Sequence, residues 1–273
     1  MHCVDKVCIA RIPHTVFSTV QYTARMNDKI TCTPPEAHRI TTDLFANDKN
    51  IDQSWRVFTI LSEFVQGFDM LRKYGSAVTF MGSARTLPSD PYHQAATELA
   101  CMLAGEGVTI VTGGGEGIMG AANFGAYRAG GKSIGFNIKL PMEQKLNPYV
   151  TESKTFHYFF SRKVMLAYAS EVYVFFPGGY GTFDELLEVL TLVQTRKIER
   201  VPIVLYGAEY WNPLVDIFKN VLAKRGFINK EDLDLFVVRD TVDDAFAYIA
   251  DSINNRAKKR SRSENEMPAH QPS

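Results

Sequence analysis

Residues 172–185 read VYVFFPGGYGTFDE, an apolar run followed by a proline, three glycines in four positions and two acids. The apolar run predicts a buried strand, and the Leu-rich segment that follows predicts a helix. Glycine allows tight backbone turns, so that successive N–H groups can converge on an anion at the start of that helix. The stretch therefore predicts a phosphate site where a strand meets a helix.

Glu185 lies one helical turn beyond the predicted anion, where a carboxylate would repel a phosphate unless it had another role. A sugar carbon that develops positive charge beside the phosphate would supply such a role. A structural alternative is also open, because Thr182 and Glu185 match a capping box, in which the two side chains bond backbone N–H groups at the helix start.

The chain after Gly75 alternates short apolar runs with helical patterns. The runs predict strands at residues 77–81, 109–111, 133–136, 172–176, 202–206 and 235–238. Such alternation predicts an α/β fold with a parallel sheet and helices on both faces. Ligands of these sheets bind beyond the carboxyl ends of the strands, which is where the glycine loops of this chain fall.

A second glycine-rich loop follows the strand at 109–111 and contains a GxGxxG match at Gly115, Gly117 and Gly120. A dinucleotide site would also need an acid after the next strand to bind the ribose hydroxyls, and none is present there. Two phosphate-type loops on one sheet therefore favour a mononucleotide shared between them over NAD or NADP.

Two further features add polar groups to this predicted site. Gly82 and Ser83 follow the first strand and would line the same pocket, unless Gly82 serves only the turn. Arg162 and Lys163 lie near the start of a predicted helix, where adjacent cations are unfavourable unless an anion offsets them. The Arg162 guanidinium stays charged, so it would bind and stabilise oxygens but not donate a proton. An exposed basic pair is the alternative.

Composition narrows the classes of function. Thirty basic and 30 acidic residues leave the 273-residue chain without net charge, which argues against a nucleic-acid partner. The four cysteines show neither CxxC pairs nor metal-ligand spacing with histidine, so we expect no metal site. The sequence has no apolar stretch long enough to cross a membrane and no apolar leader. We expect a cytoplasmic protein without a membrane partner.

The expected organisation has three parts. Residues 1–45 show no sustained periodicity and form an extension of uncertain order. Residues 46–255 form the main domain, which begins with an amphipathic covering helix around residues 52–73. Residues 256–273 are basic and polar, and we expect them to be disordered.

The motifs Gly113-Gly-Gly-Glu-Gly-Ile-Met-Gly120, Arg162-Lys163 and Pro177-Gly-Gly-Tyr-Gly-Thr-Phe-Asp-Glu185, in this order, resemble the LOG (Lonely Guy) family of cytokinin riboside 5'-monophosphate phosphoribohydrolases. The resemblance covers about residues 75–250. It implies a Rossmann-like doubly wound fold, a homodimer or larger homo-oligomer, and hydrolysis of a nucleoside 5'-monophosphate to free base and ribose 5-phosphate without a cofactor. The N-terminal extension is more similar to longer bacterial members, some of which act on AMP, so the base preference stays open.

The resemblance also assigns roles to matching positions. Arg162 and Glu185 match the family's catalytic pair, and Lys163 matches the basic residue after the arginine. The second acid of a glycosidase pair is not identified, with Asp184, Glu116 and water as candidates. The predicted phosphate-binding set, Lys163 aside, comprises Gly82, Ser83, Gly113, Gly114, Gly115, Gly117, Gly178, Gly179, Gly181 and Thr182.

The main alternative function is a non-catalytic carrier of a nucleotide or phosphorylated cofactor, because the same fold also serves proteins that bind such ligands without cleaving them. The combination of Arg162 with Glu185 favours hydrolysis, since phosphate capture does not require a carboxylate. A pyridoxal-phosphate-dependent decarboxylase is a third interpretation, but no lysine of this sequence is recognisable as its Schiff-base residue.

Overall fold

The computed structural model describes residues 3–4, 7–8, 53–140 and 145–266. The chain divides into two units, Met1–Asp52 and Gln53–Ser273. In the first unit, two short strands pair in antiparallel fashion, β1 (Cys3–Val4) with β2 (Val7–Cys8). The other residues of the predicted extension, 1–45, lie outside the described residues.

The second unit is built on a parallel sheet. Its seven strands are β3 (Ala77–Met81), β4 (Thr109–Thr112), β5 (Ser133–Ile138), β6 (Glu152–Phe156), β7 (Val172–Phe175), β8 (Ile203–Tyr206) and β9 (Val237–Arg239). They lie in the order β6-β5-β4-β3-β7-β8-β9, and neighbouring strands are parallel throughout. The chain builds one half outward from β3 and then returns to build the other half from β7. The carboxyl ends of β3 and β7 therefore form the switch point at which doubly wound sheets bind ligands.

Helices cover both faces of this sheet. The α-helices of the described ranges are α1 (Gln53–Leu71), α2 (Pro91–Gly105), α3 (Ile118–Arg128), α4 (Phe159–Tyr168), α5 (Tyr180–Gln194), α6 (Ala208–Ile217) and α7 (Val242–Glu266). Strand β7 illustrates the two layers, because Val172 and Val174 belong to one buried apolar cluster while Tyr173 and Phe175 belong to the other. The predicted α/β, doubly wound fold is confirmed. No helix in the part described has both the length and the apolarity needed to span a bilayer.

Strand β6 and the end of helix α7 differ from the sequence-based expectation. Strand β6 is missed because it lies at the sheet edge and buries only Phe156 fully, so its polar sequence lacks an apolar run. Helix α7 continues past residue 255, the predicted end of the main domain, to Glu266, through residues such as alanine, lysine and arginine that favour helix. Residues 256–266 of the predicted disordered tail are thus helical, and residues 267–273 lie outside the described residues.

Helix α1 has nearly its predicted bounds, but it packs through an unexpected face. The large apolar side chains expected to face inward are exposed on Trp55, Phe58, Leu61, Val65 and Phe68. The buried positions are Glu63, Gly67 and Met70, and a Cβ on Gly67 would overlap Met165 of α4. Periodicity identifies an apolar face, but the close approach of α4 decides which face is buried.

Candidate active site

The turn after β3 joins the two glycine loops. The Ser83 N–H donates a hydrogen bond of 3.0 Å to the Pro177 carbonyl, and the Ser83 carbonyl accepts one of 3.0 Å from the Ile118 N–H. A Cβ on Gly82 would lie 2.8 Å from three side-chain atoms of Ile118, so only glycine allows this approach. The loops that the sequence singles out therefore meet at the switch point of the sheet.

Two glycines make this contact between loops possible. Gly117 has a φ of +65°, and a Cβ there would lie 2.2 Å from the Ser83 carbonyl oxygen. A Cβ on Gly178 would lie 2.0 Å from Thr182 Oγ1 and 3.0 Å from the Ser83 nitrogen. Any larger residue at either position would force the loops apart.

The loop after β7 leads directly into the amino end of α5. The N–H groups of Gly178–Gly181 have no hydrogen-bond partner among the described residues. A Cβ on Gly179 or Gly181 would meet no atom within 4 Å, so the backbone is open to a ligand there. Neither these two glycines nor Gly178 has a positive φ. The need for glycine at these positions therefore comes from ligand access at Gly179 and Gly181 and from close packing at Gly178, not from unusual backbone angles. Unpaired N–H groups at a helix start suit an anion.

The capping-box alternative for Glu185 is wrong. Helix α5 begins at Tyr180 with Gly179 as its N-cap, before Thr182, and no side chain caps it. Thr182 lies in the first turn, where its N–H donates to the Gly179 carbonyl at 3.0 Å. Glu185 is therefore in the second turn, beyond the reach that a capping box requires.

Glu185 is a buried carboxyl group at the junction of α4 and α5. Its residue is 8% exposed, and burial raises its pKa to about 7 although Lys163 and Arg162 act in the opposite direction. The neighbouring acids Glu188 and Asp184 add a smaller increase in this pKa. The group consequently changes charge near neutral pH, as proton-transfer and electrostatic catalysts often do.

Arg162 interacts electrostatically with Glu185, without a direct ion pair between them among the described residues, and packs against the loop after β4. Its Nε donates a hydrogen bond of 2.7 Å to the Phe136 carbonyl at the end of β5. Its Nη2 occupies the space of a Gly113 side chain, because a Cβ there would lie 2.3 Å away. Burial lowers the pKa of Arg162 and Glu185 opposes that change, but a guanidinium stays charged near neutrality. The structure thus brings the two members of the predicted catalytic pair together.

Lys163 faces helix α5. Its Nζ lies 2.7 Å from Asp184 and 3.1 Å from Glu188, one helical turn apart. Burial by itself would lower the pKa of Lys163, but Asp184, Glu185 and Glu188 together raise it. The ammonium therefore joins α4 to α5 through two carboxylates that flank Glu185.

A buried amide network supports the loop after β4, and the sequence analysis missed it. Thr112 Oγ1 accepts from the Gly114 N–H at 2.9 Å and donates to Asn123 Oδ1 at 2.7 Å. Asn147 Nδ2 donates to the Gly115 carbonyl at 3.0 Å and to Asn123 at 2.9 Å. The sequence does carry one sign of this network, which is Asn123 within the apolar sequence of α3. A buried amide needs hydrogen-bond partners, so its presence there predicts a polar network.

A family model described as "Possible lysine decarboxylase" matches residues 119–249. This range contains Arg162, Lys163 and the whole loop that leads into α5, but it begins in the first turn of α3, after the loop that follows β4.

Relatives with assigned activities match a longer part of the chain. Cytokinin riboside 5'-monophosphate phosphoribohydrolase LOG1 of Arabidopsis thaliana is 31% identical over 179 residues, which are 64% of this chain and 83% of the relative. A second Arabidopsis thaliana protein, named probable cytokinin riboside 5'-monophosphate phosphoribohydrolase LOG6, is 30% identical over 66% of this chain and 90% of its own length.

Solved structures agree with the fold. The molybdenum cofactor carrier protein of Chlamydomonas reinhardtii superposes with a TM-score of 0.52 and 24% identity, covering 66% of this chain and 98% of its own. An X-ray structure from a structural-genomics consortium superposes with a TM-score of 0.50 and 24% identity, covering 65% of this chain and 99% of its own. The similarity to these solved structures concerns the fold alone, whereas the sequence relatives show that the chain belongs to the LOG family.

Proposed function

We propose that this protein hydrolyses the N-glycosidic bond of a nucleoside 5'-monophosphate, AMP or a cytokinin riboside 5'-monophosphate, to free base and ribose 5-phosphate. The observation that carries the proposal is Glu185, a buried carboxyl group with a pKa of about 7 that makes no capping bond and interacts electrostatically with Arg162. A carrier of phosphorylated ligands needs backbone donors and cations but has no need of such an acid. The names of the sequence relatives support the same reaction.

The glycine loops would hold the 5'-phosphate. The unpaired N–H groups at the start of α5 and the loop at Gly113–Gly117 are suited to its oxygens. Binding energy from this remote group fixes the ribose over the reacting groups, which is why it contributes to catalysis as well as to affinity.

Glu185 and Arg162 would act on the ribose. Breaking the glycosidic bond develops positive charge at C1', and an ionised Glu185 stabilises that charge or orients the attacking water. Arg162, held by the Phe136 carbonyl, would bind ribose or phosphate oxygens through its remaining N–H groups. Lys163 would position α5, since its ammonium is already paired with Asp184 and Glu188.

The departing base needs a proton from a separate group. Asp184 is already engaged in an ion pair with Lys163, with 2.7 Å between Lys163 Nζ and Asp184 Oδ2, so it is not free for the leaving base. Glu116 is exposed in the loop between Gly115 and Gly117 and remains a candidate together with water.

The homodimer or larger assembly and the cytoplasmic location both stay predictions. Exposed apolar side chains along α1 and the 98% exposure of Tyr180, beside the proposed phosphate site, are features typical of contact surfaces. We include a homo-oligomer in the proposal on this basis.

Substrate hydrolysis tests the function directly. We expect purified protein to release free adenine from AMP, and to act on adenosine with kcat/KM lower by at least about a hundredfold, because the phosphate supplies the positioning energy. Chromatography of reactions with AMP, GMP, CMP, UMP and isopentenyladenosine monophosphate measures the released base. Binding of these nucleotides without release of base from any of them would favour the carrier function.

The pH dependence tests the state in which Glu185 acts. If the ionised carboxylate stabilises C1', kcat/KM rises up to tenfold per unit below about pH 7 and becomes level above it, because the carboxyl loses its proton there. The substrate phosphate also titrates, near pH 6 in phosphate monoesters. The residual activity of Glu185→Gln is the control. Its pH profile should lack the inflection caused by the Glu185 carboxyl and keep the inflection caused by the substrate phosphate. A rate that falls between pH 6 and 8 would contradict a carboxylate role.

A further inference from the structure

Helix α1 places one acidic side chain inside the protein. Glu63 is 3% exposed, although the neighbouring Ser62 and Val65 are exposed. An isolated carboxylate is costly to bury unless hydrogen bonds or charges satisfy it. The partners of Glu63 are therefore informative about its purpose.

All partners of the Glu63 carboxylate lie at the amino end of α4. Its Oε1 accepts a hydrogen bond of 2.5 Å from the His157 N–H and lies 3.1 Å from His157 Nδ1. Its Oε2 accepts from the Ser161 hydroxyl. The N-cap of α4, Tyr158, forms no side-chain capping bond of its own. Glu63 thus ties α1 to the residue before the N-cap of α4 and to Ser161 in its first turn, with its carboxylate near the positive end of α4.

The residue after Ser161 is Arg162. Ser161 is fully buried, and Glu63 and the Tyr158 carbonyl, the latter 3.0 Å away, share its single hydroxyl proton, so Glu63 and the start of α4 belong to one hydrogen-bond network. The Arg162 N–H belongs to the same turn, donating to Tyr158 at 3.2 Å. Any rotation of this turn would displace the Arg162 guanidinium from Phe136 and from Gly113.

We propose that Glu63 is a positioning residue of the active site, which holds the first turn of α4 and through it the guanidinium of Arg162. The inference rests on the proposed hydrolase function, and it makes α1 part of the site's support through α4. Glu63 acts through Ser161 and His157 and would not contact the substrate itself.

The test compares two neutralising substitutions on the same helix. Glu63→Gln keeps the size of the side chain but places an amide where a carboxylate oxygen meets Ser161, whereas Asp69→Asn removes an exposed acid of α1. We expect Glu63→Gln to lower kcat for AMP by roughly tenfold to a hundredfold, as small displacements of catalytic groups do, and Asp69→Asn to leave kcat unchanged. The effect should be weaker on KM, since the phosphate loops are not altered.

A double-mutant cycle separates positioning from general stability. In an Arg162→Lys background, Glu63→Gln should lower kcat by less than threefold, because the guanidinium that it positions is gone. An equal loss in both backgrounds, or wild-type kcat in Glu63→Gln, would overturn the proposal.

A crystal structure of the Glu63→Gln variant tests the position of Arg162 without depending on any enzymatic activity. A crystal structure of Glu63→Gln should show Arg162 Nε separated from the Phe136 carbonyl, and an unchanged 2.7 Å bond would also reject the inference. If wild-type protein released no base from any nucleotide, the proposed function would fail and this structure alone would decide the role of Glu63.

Discussion

Glu185→Gln is expected to lower kcat for AMP by at least about a hundredfold, the scale for losing a positioned electrostatic or acid–base group. Glutamine retains the shape of the side chain but cannot carry the negative charge that stabilises C1'. Because the phosphate loops are not altered, AMP should still bind. Steady-state kinetics and calorimetric titration with AMP measure the two properties separately.

The same substitution should stabilise the fold at high pH. The Glu185 pKa rises from 4.5 to about 7 in the folded protein, so the folded state binds this proton more tightly than the unfolded state does. The associated stability is present below pH 4.5 and is lost as the pH rises through about 7. Glu185→Gln should thus raise the free energy of unfolding by up to about 3 kcal/mol at pH 8, and by much less at pH 5.

The control for Glu185→Gln is Glu231→Gln, which neutralises an exposed glutamate outside the site. This variant should keep wild-type kcat and show no comparable gain in urea-induced unfolding at pH 8. Wild-type turnover in Glu185→Gln would remove the residue from the mechanism. Lower turnover with lower stability at pH 8 would instead indicate a structural role for the carboxylate.

Arg162→Ala is expected to reduce kcat/KM for AMP by at least about a hundredfold, since it removes a buried cation beside the reacting groups. Arg162→Lys should recover little of this loss, because an ammonium cannot both bond the Phe136 carbonyl and present a planar fork beyond Gly113. Kinetics with and without added guanidinium chloride at low concentration measure the effect, and partial rescue of the alanine variant is expected.

Arg72→Ala is the matched control for the arginine, because Arg72 is exposed at the end of α1. Its kinetics should match those of the wild type. Near-normal rates in Arg162→Ala would exclude Arg162 from the catalytic pair. Rescue of Arg72→Ala by guanidinium to a similar degree would show that the salt acts non-specifically.

The local pattern of apolar runs, glycine turns and helical segments was sufficient to predict much of the fold. Strands β3 and β7 are short apolar runs that end at glycine-rich turns, and this alternation with helices predicts a parallel sheet before any contact is known. The position of the glycine loops at the carboxyl edge follows from the same pattern. Strand β6 was not predicted, because an edge strand with one buried side chain has no apolar run in its sequence.

At Glu185 the local sequence pattern is ambiguous, because it allows two roles for the carboxylate. The spacing from Thr182 to Glu185 fits both a capping box and a catalytic acid, and the choice depends on where α5 begins. The helix begins at Tyr180 because the loop from β7 turns directly into it, so the acid is carried past the cap and into the space beside Arg162.

The sequence by itself determined the sheet, the two glycine loops and the candidate pair Arg162 and Glu185, because strand period, turn residues and motif spacing are properties of neighbouring positions. Only the tertiary structure decided that Asn147 supports the loop after β4 and that Glu63 holds Ser161, 98 positions along the chain. Such contacts depend on which elements the topology brings together. No local periodicity encodes them, since each partner looks ordinary within its own segment.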